Sequence, residues 1–421
     1  MNIIKAIRGM NDVLVEDARV IDQIQHVCKS VFERHCYFRI ETPIVEKTEL
    51  FARSIGADTD IVSKEMYTFD DRNGDSLTLR PEGTASCVRA GIEHGLFYNQ
   101  QQRFWYSGPM FRHERPQKGR YRQFHQIGAE SYGWSTPDID AELITMTASL
   151  WKNLGLSGIE LQINSLGSKE SRSTYRSKLV EYLSDFKAEL DSDSQRRLET
   201  NPLRILDSKV PKTQELLENA PLLSDYLDQE SADDFDQLKM YLDAQQIEYQ
   251  VNPKLVRGLD YYNKTVFEWV YSSLGAQATV CAGGRYDTLV EQLGGKSTPG
   301  IGFALGIERL VEVLKEQEQI LPLPIPDIYF ISIGDQARIK ALKTANELRS
   351  ANFQVQMHCG QGSIKNQIKK ADKSGAKIAL ILAEQELNTE TITIKPLLQN
   401  IEQKTVSNQQ LINTIDTLLK A

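Results

Sequence analysis

The sequence predicts a protein of mixed helices and strands that divides into a large N-terminal part and a smaller C-terminal domain. Two strand patterns rich in aromatic residues flank a basic loop within residues 103–133. An acidic stretch with helical patterns, residues 168–250, interrupts the strands that follow. The proline-rich residues 321–327 indicate a stiff linker, after which strand and helix patterns alternate. This alternation predicts a separate α/β domain at the C-terminus.

The N-terminal segment predicts an amphipathic helix, because apolar residues recur at helical spacing between residues 22 and 37. A strand pattern follows at residues 38–45 and contains Pro43, so we expect this strand at a sheet edge or an interface. A hairpin pattern comes next, and then a helix that is predicted from Ala85. Glu82 lies just before that helix, where it either satisfies the helix N-terminus or receives an ammonium group.

The loop between the two aromatic-rich strands carries five Arg or Lys residues and one Glu within residues 112–122. A run of this kind is either a solvated charged surface or a site that attracts phosphate. Arg112, Gln126 and Glu130 stand at even spacing, so they can lie on one face of neighbouring strands. A polar strand face favours the second interpretation, a pocket with polar groups.

Three segments after the acidic stretch hold small or charged residues. Arg257 and Asp260 stand close together beside a glycine, and they form either a loop salt bridge or part of a site. Residues 283–284 are two glycines, at which a backbone can approach a ligand closely. Residues 300–306 predict a glycine-rich entry into a helix, but their glycine spacing is not the dinucleotide-binding pattern.

Composition limits the possible functions. The chain has 421 residues and no apolar run near the ~20 residues that a membrane-spanning helix needs. Its N-terminus lacks the apolar region of a secretory signal, so we expect a cytoplasmic location and no membrane partner. The five cysteines are scattered without a C-x-x-C pair, and the six histidines show no ligand spacing. We therefore assign neither a disulfide framework nor a dedicated metal site.

The net charge of −8 hides an uneven distribution. Residues 181–248 carry 17 Asp or Glu and 7 Lys or Arg, which gives a local charge of −10. Residues 327–421 carry 12 Lys or Arg and 9 Asp or Glu, which gives a local charge of +3. Local patches decide whether RNA can bind, so the negative total does not exclude a nucleic-acid partner.

Five motifs stand in order along the chain. They are TLRPEGT at 78–84, FRHE at 111–114, RGLDYY at 257–262, AGGRYD at 282–287 and GFALGIER at 302–309. Together they resemble the motifs of bacterial histidyl-tRNA synthetases, a family of class II aminoacyl-tRNA synthetases. The resemblance implies an α+β fold, with an antiparallel catalytic sheet and flanking helices in residues 1–325, a helical insertion at 168–250 and an α/β anticodon-binding domain at 326–421. It also implies a homodimer that forms through the N-terminal helix and the strand with Pro43.

The resemblance implies a histidine–tRNA ligase, an enzyme of protein biosynthesis. Such an enzyme activates L-histidine with ATP to histidyl-adenylate and pyrophosphate, and then transfers histidine to the 3′-terminal adenosine of tRNA(His). Mg²⁺ is expected to arrive with ATP, and no protein ligand for it is assigned. The alternative is a non-catalytic histidine-binding paralogue such as the regulatory subunit of ATP phosphoribosyltransferase. Arg112, Glu114, Arg257, Arg309 and the additional C-terminal domain favour the enzyme.

The resemblance also assigns roles to residues within the motifs and to residues of the hairpin segment 103–133. The implied catalytic residues are Arg112 and Arg257, since a guanidinium can hold phosphate and carboxylate together. The residues implied to bind histidine are Glu82, Thr84, Gln126, Glu130, Arg257, Tyr262 and Tyr286. Those implied to bind ATP are Arg112, Glu114, Arg120, Tyr121, Phe124 and Arg309. The acceptor end of tRNA is assigned to Arg115, Gln117 and Arg122.

Overall fold

The computed structural model describes residues 3–56, 59–322, 325–398 and 402–420, and the chain separates into two units, Met1–Leu321 and Pro322–Ala421. Two residues of the predicted linker, 323 and 324, lie outside the described residues. The strands of the first unit are β1 Phe38–Arg39, β2 Val45–Lys47, β3 Tyr67–Asp70, β4 Ser76–Leu79, β5 Gln102–Phe111, β6 Gln123–Tyr132, β7 Glu160–Ser165, β8 Gln250–Val251, β9 Asn263–Val270, β10 Thr279–Arg285 and β11 Gly300–Gly306. Its helices are α1 Val15–Arg34, α2 Thr48–Ile55, α3 Thr84–Glu93, α4 Pro137–Leu154, α5 Lys169–Ser184, α6 Ser192–Thr200, α7 Pro211–Leu217, α8 Gln229–Ala244, α9 Leu289–Gln292 and α10 Ile307–Glu316.

An eight-stranded sheet forms the centre of the first unit, in the order β1-β5-β6-β11-β10-β9-β7-β8. The six central strands run antiparallel to one another. At the two edges, β1 pairs parallel with β5 and β8 pairs parallel with β7. One face packs against α1, α4, α8 and α10 in a large apolar core. The opposite face packs against α3, α9 and much of the insertion in a second core. This opposite face also carries Gln126, Glu130 and Glu268, so polar and apolar groups share it.

The predicted hairpin of residues 103–133 is the longest strand pair of this sheet. β5 and β6 contain ten residues each, and they pair continuously from Gln102 opposite Tyr132 to Phe111 opposite Gln123. The aromatic and β-branched residues fit the pleated surface of a half-buried pair. The basic loop therefore begins where the long hairpin ends.

The single strand that residues 38–45 predict is wrong, because the segment forms two strands in different sheets. β1 lies at the edge of the large sheet, whereas β2 belongs to a three-stranded antiparallel sheet in the order β2-β4-β3. Pro43 lies between the two strands and has no backbone N–H to donate to a ladder, which accounts for the break. The prediction of an edge position holds for β1.

A helix follows residues 300–306 as predicted, but the strand that these residues form was not predicted. These residues form β11, which pairs with both β6 and β10, and the helix begins only at Ile307. A methyl group placed on Gly302 would overlap the carboxylate of Glu130, and one on Gly300 would overlap the ring of Tyr286. The glycines thus leave room for neighbouring side chains within a sheet.

The two glycines at 283–284 leave room for protein rather than for a ligand. A methyl group on Gly283 would overlap the carbonyl oxygen of Gly302, and one on Gly284 would lie 2.6 Å from the carbonyl oxygen of Thr265. Both contacts come from the strands on either side of β10. The expected approach of a ligand at these glycines is therefore wrong.

The helices of the insertion contribute to the cores of the first unit. Its last helix, α8, packs against α4 and buries Phe235, Leu238 and Leu242 in the large core. The earlier helices, α5 to α7, belong to the second core. The strands on either side of the insertion, β7 and β8, pair in parallel, with Gln162 opposite Gln250.

The second unit has its own sheet and helices. Its strands are β12 Ile328–Ser332, β13 Val355–Met357, β14 Ile378–Leu382, β15 Thr391–Pro396 and β16 Lys404–Ser407. Its helices are α11 Asp335–Ser350, α12 Ile364–Ser374, α13 Glu384–Asn388 and α14 Leu411–Lys420. The strand order is β13-β12-β14-β15-β16, in which the first three strands are parallel and the last two antiparallel. Helices α11 and α14 pack on one face and α12 on the other, as an α/β domain requires.

Candidate active site

A cavity of about 340 Å³ opens on the polar face of the large sheet. Strands β6, β9, β10 and β11 form its floor, and the segments 112–121 and 256–262 form part of its wall. The predicted histidine and ATP residues that line it are Glu82, Thr84, Arg112, Glu114, Arg120, Tyr121, Phe124, Gln126, Arg257, Tyr262 and Arg309. The structure therefore brings together residues that lie more than 200 positions apart in the sequence.

Arg112 and Arg257 are held in different ways. Arg112 donates from Nε to the carbonyl of Pro81 at 2.9 Å, and its guanidinium lies 5.3 Å from the ring centre of Phe124. Burial lowers the pKa of Arg112 below its ordinary value. Arg257 forms an ion pair with Glu268, and although burial acts to lower the pKa of Arg257, this carboxylate raises it. Arg257 therefore forms its salt bridge with Glu268 of β9, whereas the sequence offered Asp260 of its own loop as the partner.

Glu130 and Tyr286 lie beneath the cavity wall. Glu130 is fully buried, and its carboxylate accepts hydrogen bonds from the hydroxyls of Thr84 at 2.7 Å, Tyr106 at 3.1 Å and Tyr286. Burial raises the pKa of Glu130 to about 8, although the hydroxyls of Tyr286 and Thr84 act in the opposite direction. Thr84 connects this buried network to the cavity that it lines.

Glu82 satisfies the N-terminus of α3, which is the first of its two predicted interpretations. Its carboxylate accepts from the backbone N–H of Thr84 at 2.6 Å and of Ala85 at 2.9 Å. Burial raises the pKa of Glu82, and these two backbone hydrogen bonds act to lower it. Glu82 also lines the cavity, so the same carboxylate can contact a ligand while it caps the helix.

The predicted ATP residues cluster on the side of the cavity toward the basic loop and α10. Glu114 forms an ion pair with Arg120, and Arg309 donates to the carbonyl of Thr279. Burial, together with Arg120 and Arg112, lowers the pKa of Arg309 to about 10. Like charges this close favour the binding of an anion between them.

The predicted tRNA residues lie on the loop itself. Arg115 and Gln117 are exposed, whereas Arg122 is half-buried and donates from Nε to the carbonyl of Glu114 at 3.1 Å. The neighbouring Lys118 forms an ion pair with Glu312 at 2.9 Å. The loop is therefore fixed to the protein at several points, and it presents two of the three predicted residues to solvent.

The comparison with protein families decides which family carries this arrangement. The model of histidyl-tRNA synthetase matches residues 9–310, and the model of the anticodon binding domain matches residues 327–418. The chain belongs to the histidyl-tRNA synthetase family. The two family matches end and begin on either side of the proline-rich segment.

Individual relatives agree with this membership. The histidine–tRNA ligase of Hydrogenovibrio crunogenus (strain DSM 25203 / XCL-2) is 56% identical over 418 residues, covering 99% of this chain and 98% of the relative. The crystal structure of apo S. aureus histidyl-tRNA synthetase is 38% identical, with a TM-score of 0.83 over 98% of this chain and 100% of that chain. A second similar structure is that of an ATP phosphoribosyltransferase regulatory subunit/histidyl-tRNA synthetase from Bacillus halodurans C. It is 21% identical, with a TM-score of 0.67 over 91% of this chain and 99% of that chain, and at this identity it shows the fold alone.

The family membership confirms the resemblance that the motifs predicted. It confirms the α+β fold class, and it confirms that the chain is an enzyme of the aminoacyl-tRNA synthetase class. The match of the whole chain to a histidine–tRNA ligase supports this activity better than the regulatory-subunit alternative. The histidine–tRNA ligase reaction involves histidine, ATP and tRNA, and its use of ATP implies a divalent metal ion.

Sequence reasoning missed several residues at this site. Glu268 pairs with Arg257, Tyr261 lines the cavity beside Tyr262, and Arg204 reaches the cavity from the insertion. Glu268 had a detectable signal, since it is an acidic residue within the apolar part of a predicted strand. The signal for Tyr106 was weaker. Its ring occupies space that is left by Gly83 and Gly128, which belong to other elements.

Within the described ranges, no group of three or more His, Cys, Asp or Glu residues could hold a metal ion. Among the helices of these same ranges, none is long and apolar enough to cross a membrane.

Proposed function

We propose that the cavity on the polar face of the sheet is where this histidine–tRNA ligase carries out both of its steps. Histidine and ATP form histidyl-adenylate and pyrophosphate there, and the histidyl group then passes to the 3′-terminal adenosine of tRNA(His). The observation that carries this proposal is the position of Arg112 and Arg257 in one cavity, beside the network of Glu130. Two cations at the reacting phosphate and a polar pocket for the amino acid are what the first step requires.

In the first step a carboxylate oxygen of histidine attacks the α-phosphorus of ATP, and the bond to the pyrophosphate oxygen breaks. Negative charge accumulates on two groups that repel each other, so fixed cations must lie between them. Arg112 and Arg257 supply these cations, because a guanidinium stays protonated and binds two oxygens at once. Arg257 reaches the phosphate while Glu268 still neutralises its other edge.

The nucleotide occupies the side of the cavity formed by the basic loop and α10. Phe124 and Arg309 hold the adenine between a ring and a guanidinium. Glu114 and Tyr121 contact the edge of the base, and Arg120 contacts the γ-phosphate. Since Arg120 is paired with Glu114, ATP must replace or share this contact when it binds.

Histidine occupies the side of the cavity next to α3. Its ammonium group needs acceptors, which Glu82, Thr84 and Gln126 provide. Its imidazole has one hydrogen-bond donor and one acceptor. Tyr262, in the cavity wall, and the buried pair of Glu130 and Tyr286 beneath it form hydrogen bonds with these two groups. A pocket that reads hydrogen bonds rejects apolar amino acids by roughly 10⁴–10⁵-fold, since its polar groups would be left without partners.

The divalent ion is Mg²⁺, and it enters with ATP as part of the substrate. Mg²⁺ prefers phosphate oxygens and water as ligands, so ATP and water would supply most of them. The ion would neutralise negative charge on the phosphates that leave as pyrophosphate. The residues of the chain then act on the α-phosphate and on histidine.

The tRNA contacts divide between the two units. Arg115, Gln117 and Arg122 meet the acceptor end, and the domain of residues 326–421 binds the anticodon, which its family match and its charge of +3 over residues 327–421 support. The enzyme works as a cytoplasmic homodimer, with α1 and the edge strand β1 at the interface. The exposed Phe38 on that edge supports this interface.

The exchange of labelled pyrophosphate into ATP tests the proposed first step. We expect exchange that depends on L-histidine, followed by charging of tRNA(His) when tRNA is added. A histidine-binding paralogue without catalysis would bind histidine and show no exchange. Such a result would contradict the proposed function.

A further inference from the structure

The insertion places an arginine at the cavity that none of the sequence motifs indicated. Arg204 lies in a short 3₁₀ turn, Pro202–Ile205, and lines the cavity beside the loop that carries Arg257. A methyl group on Gly258 would lie 3.5 Å from Nη1 of Arg204. The guanidinium therefore lies close to the backbone of that loop, where a phosphate near Arg257 is within its reach.

The turn that carries Arg204 is fixed to the loop of Arg257 by one side-chain hydrogen bond, and the preceding helix is fixed to Asp60. Asn201 donates from Nδ2 to Oδ1 of Asp260 at 2.9 Å, and it accepts the backbone N–H of Arg204 at 3.1 Å. On the preceding helix, Arg197 donates to the carboxylate of Asp60 at 3.2 Å. These contacts determine the position of Arg204 at the cavity and do not involve its guanidinium.

The guanidinium of Arg204 differs from those of the other cavity arginines, which are Arg112, Arg120, Arg257 and Arg309. Each of these contacts a carbonyl or a carboxylate, as described above. In the part of the chain that the structure describes, the side chain of Arg204 has no hydrogen-bond acceptor. Its nearest carboxylate is that of Asp207, at 3.9 Å and more than half exposed, a pair worth about 0–1 kcal/mol.

This position is unfavourable for a cation without a ligand. The side chain of Arg204 is 24% exposed, and burial lowers the pKa of its guanidinium. Asp207 and Asp260 act to raise this pKa, whereas Arg197 and Arg257 lower it further. A largely buried cation without an acceptor costs free energy, which a bound anion recovers. The substrates of the proposed reaction bring phosphate groups into this cavity, so phosphate is the anion that can bind there.

We propose that Arg204 binds a phosphate group of a substrate in this cavity, so that the insertion completes the site of the ligase. This inference rests on the proposed function. The phosphate belongs either to ATP and the adenylate or to the terminal phosphodiester of tRNA, since both have the same ligand chemistry. Arg204 is a substrate-binding residue in either case, and the insertion is then part of the active site.

The test replaces Arg204 by Ala and by Gln in the full chain and compares both with Arg176→Ala. Arg176 is an exposed arginine of the same insertion that contacts only the carbonyl of Thr200 among the described residues. Histidine-dependent ATP–pyrophosphate exchange measures the first step, and transfer from preformed histidyl-adenylate to tRNA measures the second. Thermal unfolding shows whether each variant is folded. If Arg204→Ala is not folded, the result is taken from Arg204→Gln, which keeps most of the side-chain volume.

We expect at least about a tenfold loss in one step, since a charge-assisted contact contributes about 1.5–3 kcal/mol. Slower exchange, with a raised KM for ATP, identifies the phosphates of ATP as the ligand. Normal exchange with slower transfer identifies the phosphodiester of tRNA. If folded Arg204 variants match Arg176→Ala within about threefold in both steps, the inference is wrong. Absent exchange in the unsubstituted protein would instead count against the proposed function.

Discussion

Gly302 lies directly opposite Glu130 in the β6–β11 pair, and the carboxylate of Glu130 occupies the space that a side chain on Gly302 would need. The hydroxyls of Thr84, Tyr106 and Tyr286 hold the carboxylate in that space. The position of the predicted histidine-binding carboxylate therefore depends on a glycine in another strand.

Replacing Gly302 by Ala is expected to displace the Glu130 carboxylate. The KM for histidine should rise by about 10²-fold, because hydrogen bonds to a ligand in a polar pocket depend on their position. The KM for ATP should change by less than about threefold, and the free energy of unfolding should fall by about 1–3 kcal/mol from overpacking. Exchange assays at varied histidine and ATP, with chemical denaturation, measure these effects.

Ile301→Val provides the control for this variant, because Ile301 is buried on the opposite face of the same strand. It should cost about 0.5–1.5 kcal/mol in stability and leave the KM for histidine unchanged. Equal increases in the KM for histidine and for ATP in Gly302→Ala would contradict the proposed role of Glu130.

The titration of Glu130 should make stability depend on pH. Burial raises the pKa of Glu130 from 4.5 to about 8, so between these values the folded protein binds a proton that the unfolded chain has released. The stabilising contribution is complete below about pH 4.5, decreases as pH rises, and is lost above about pH 8. Its slope is at most about 1.4 kcal/mol per pH unit.

Glu130→Gln cannot titrate and isolates this effect. The stability of the unsubstituted protein relative to Glu130→Gln should fall between pH 5 and pH 8, as urea denaturation at several pH values would show. Parallel pH profiles for the two proteins would mean that Glu130 does not change its protonation state in this range.

Glu268→Ala should impair the first step by leaving Arg257 without its ion-pair partner. Glu268 also accepts a hydrogen bond from Thr279 at 3.0 Å, so the substitution removes two contacts. We expect ATP–pyrophosphate exchange to slow by about 10–100-fold, since the position of a catalytic cation contributes strongly to the rate. Glu291→Ala removes an exposed carboxylate from α9 and should leave exchange unchanged. A similar rate in both variants would show that Arg257 needs no partner.

Removing residues 327–421 should separate the two activities. Exchange should remain within a few-fold, because the cavity is lined by residues of the first unit, which has its own apolar cores. Charging of tRNA(His) should fall by at least about tenfold, which corresponds to a loss of about 1.4 kcal/mol in binding. Charging at the original rate would argue against anticodon binding by this domain.

Local patterns predicted most of the elements but not their partners. The ten-residue strands β5 and β6 follow from their aromatic residues, and the α/β order of the second unit follows from its alternating patterns. The strand at residues 300–306 was missed because glycine has no side chain that favours a strand. Its glycines are explained by Glu130 and Tyr286, which occupy the space that side chains at Gly302 and Gly300 would need. Contacts between strands distant in sequence cannot be read from spacing.

The candidate site shows the same limit. The motifs and the family resemblance predicted eleven of the residues that line the cavity: seven lie within the motifs, and the other four, Arg120, Tyr121, Phe124 and Gln126, lie elsewhere in residues 103–133. They did not show that Glu130 and Tyr286 lie beneath its surface, since burial depends on how α3 and β11 pack. Arg204 was missed because it lies in the acidic insertion, outside all five motifs, and only the fold brings it to the cavity.

The packing of α8 limits how this enzyme can be shortened or recombined with relatives. The paired ends of β7 and β8 suggest that residues 168–250 could be excised and joined by a short loop. Such an excision would remove Phe235, Leu238 and Leu242 and expose the apolar surfaces of α4 that they cover. A chimera that exchanges the insertion should therefore retain α8 from the same parent as the sheet and place its junction before Gln229.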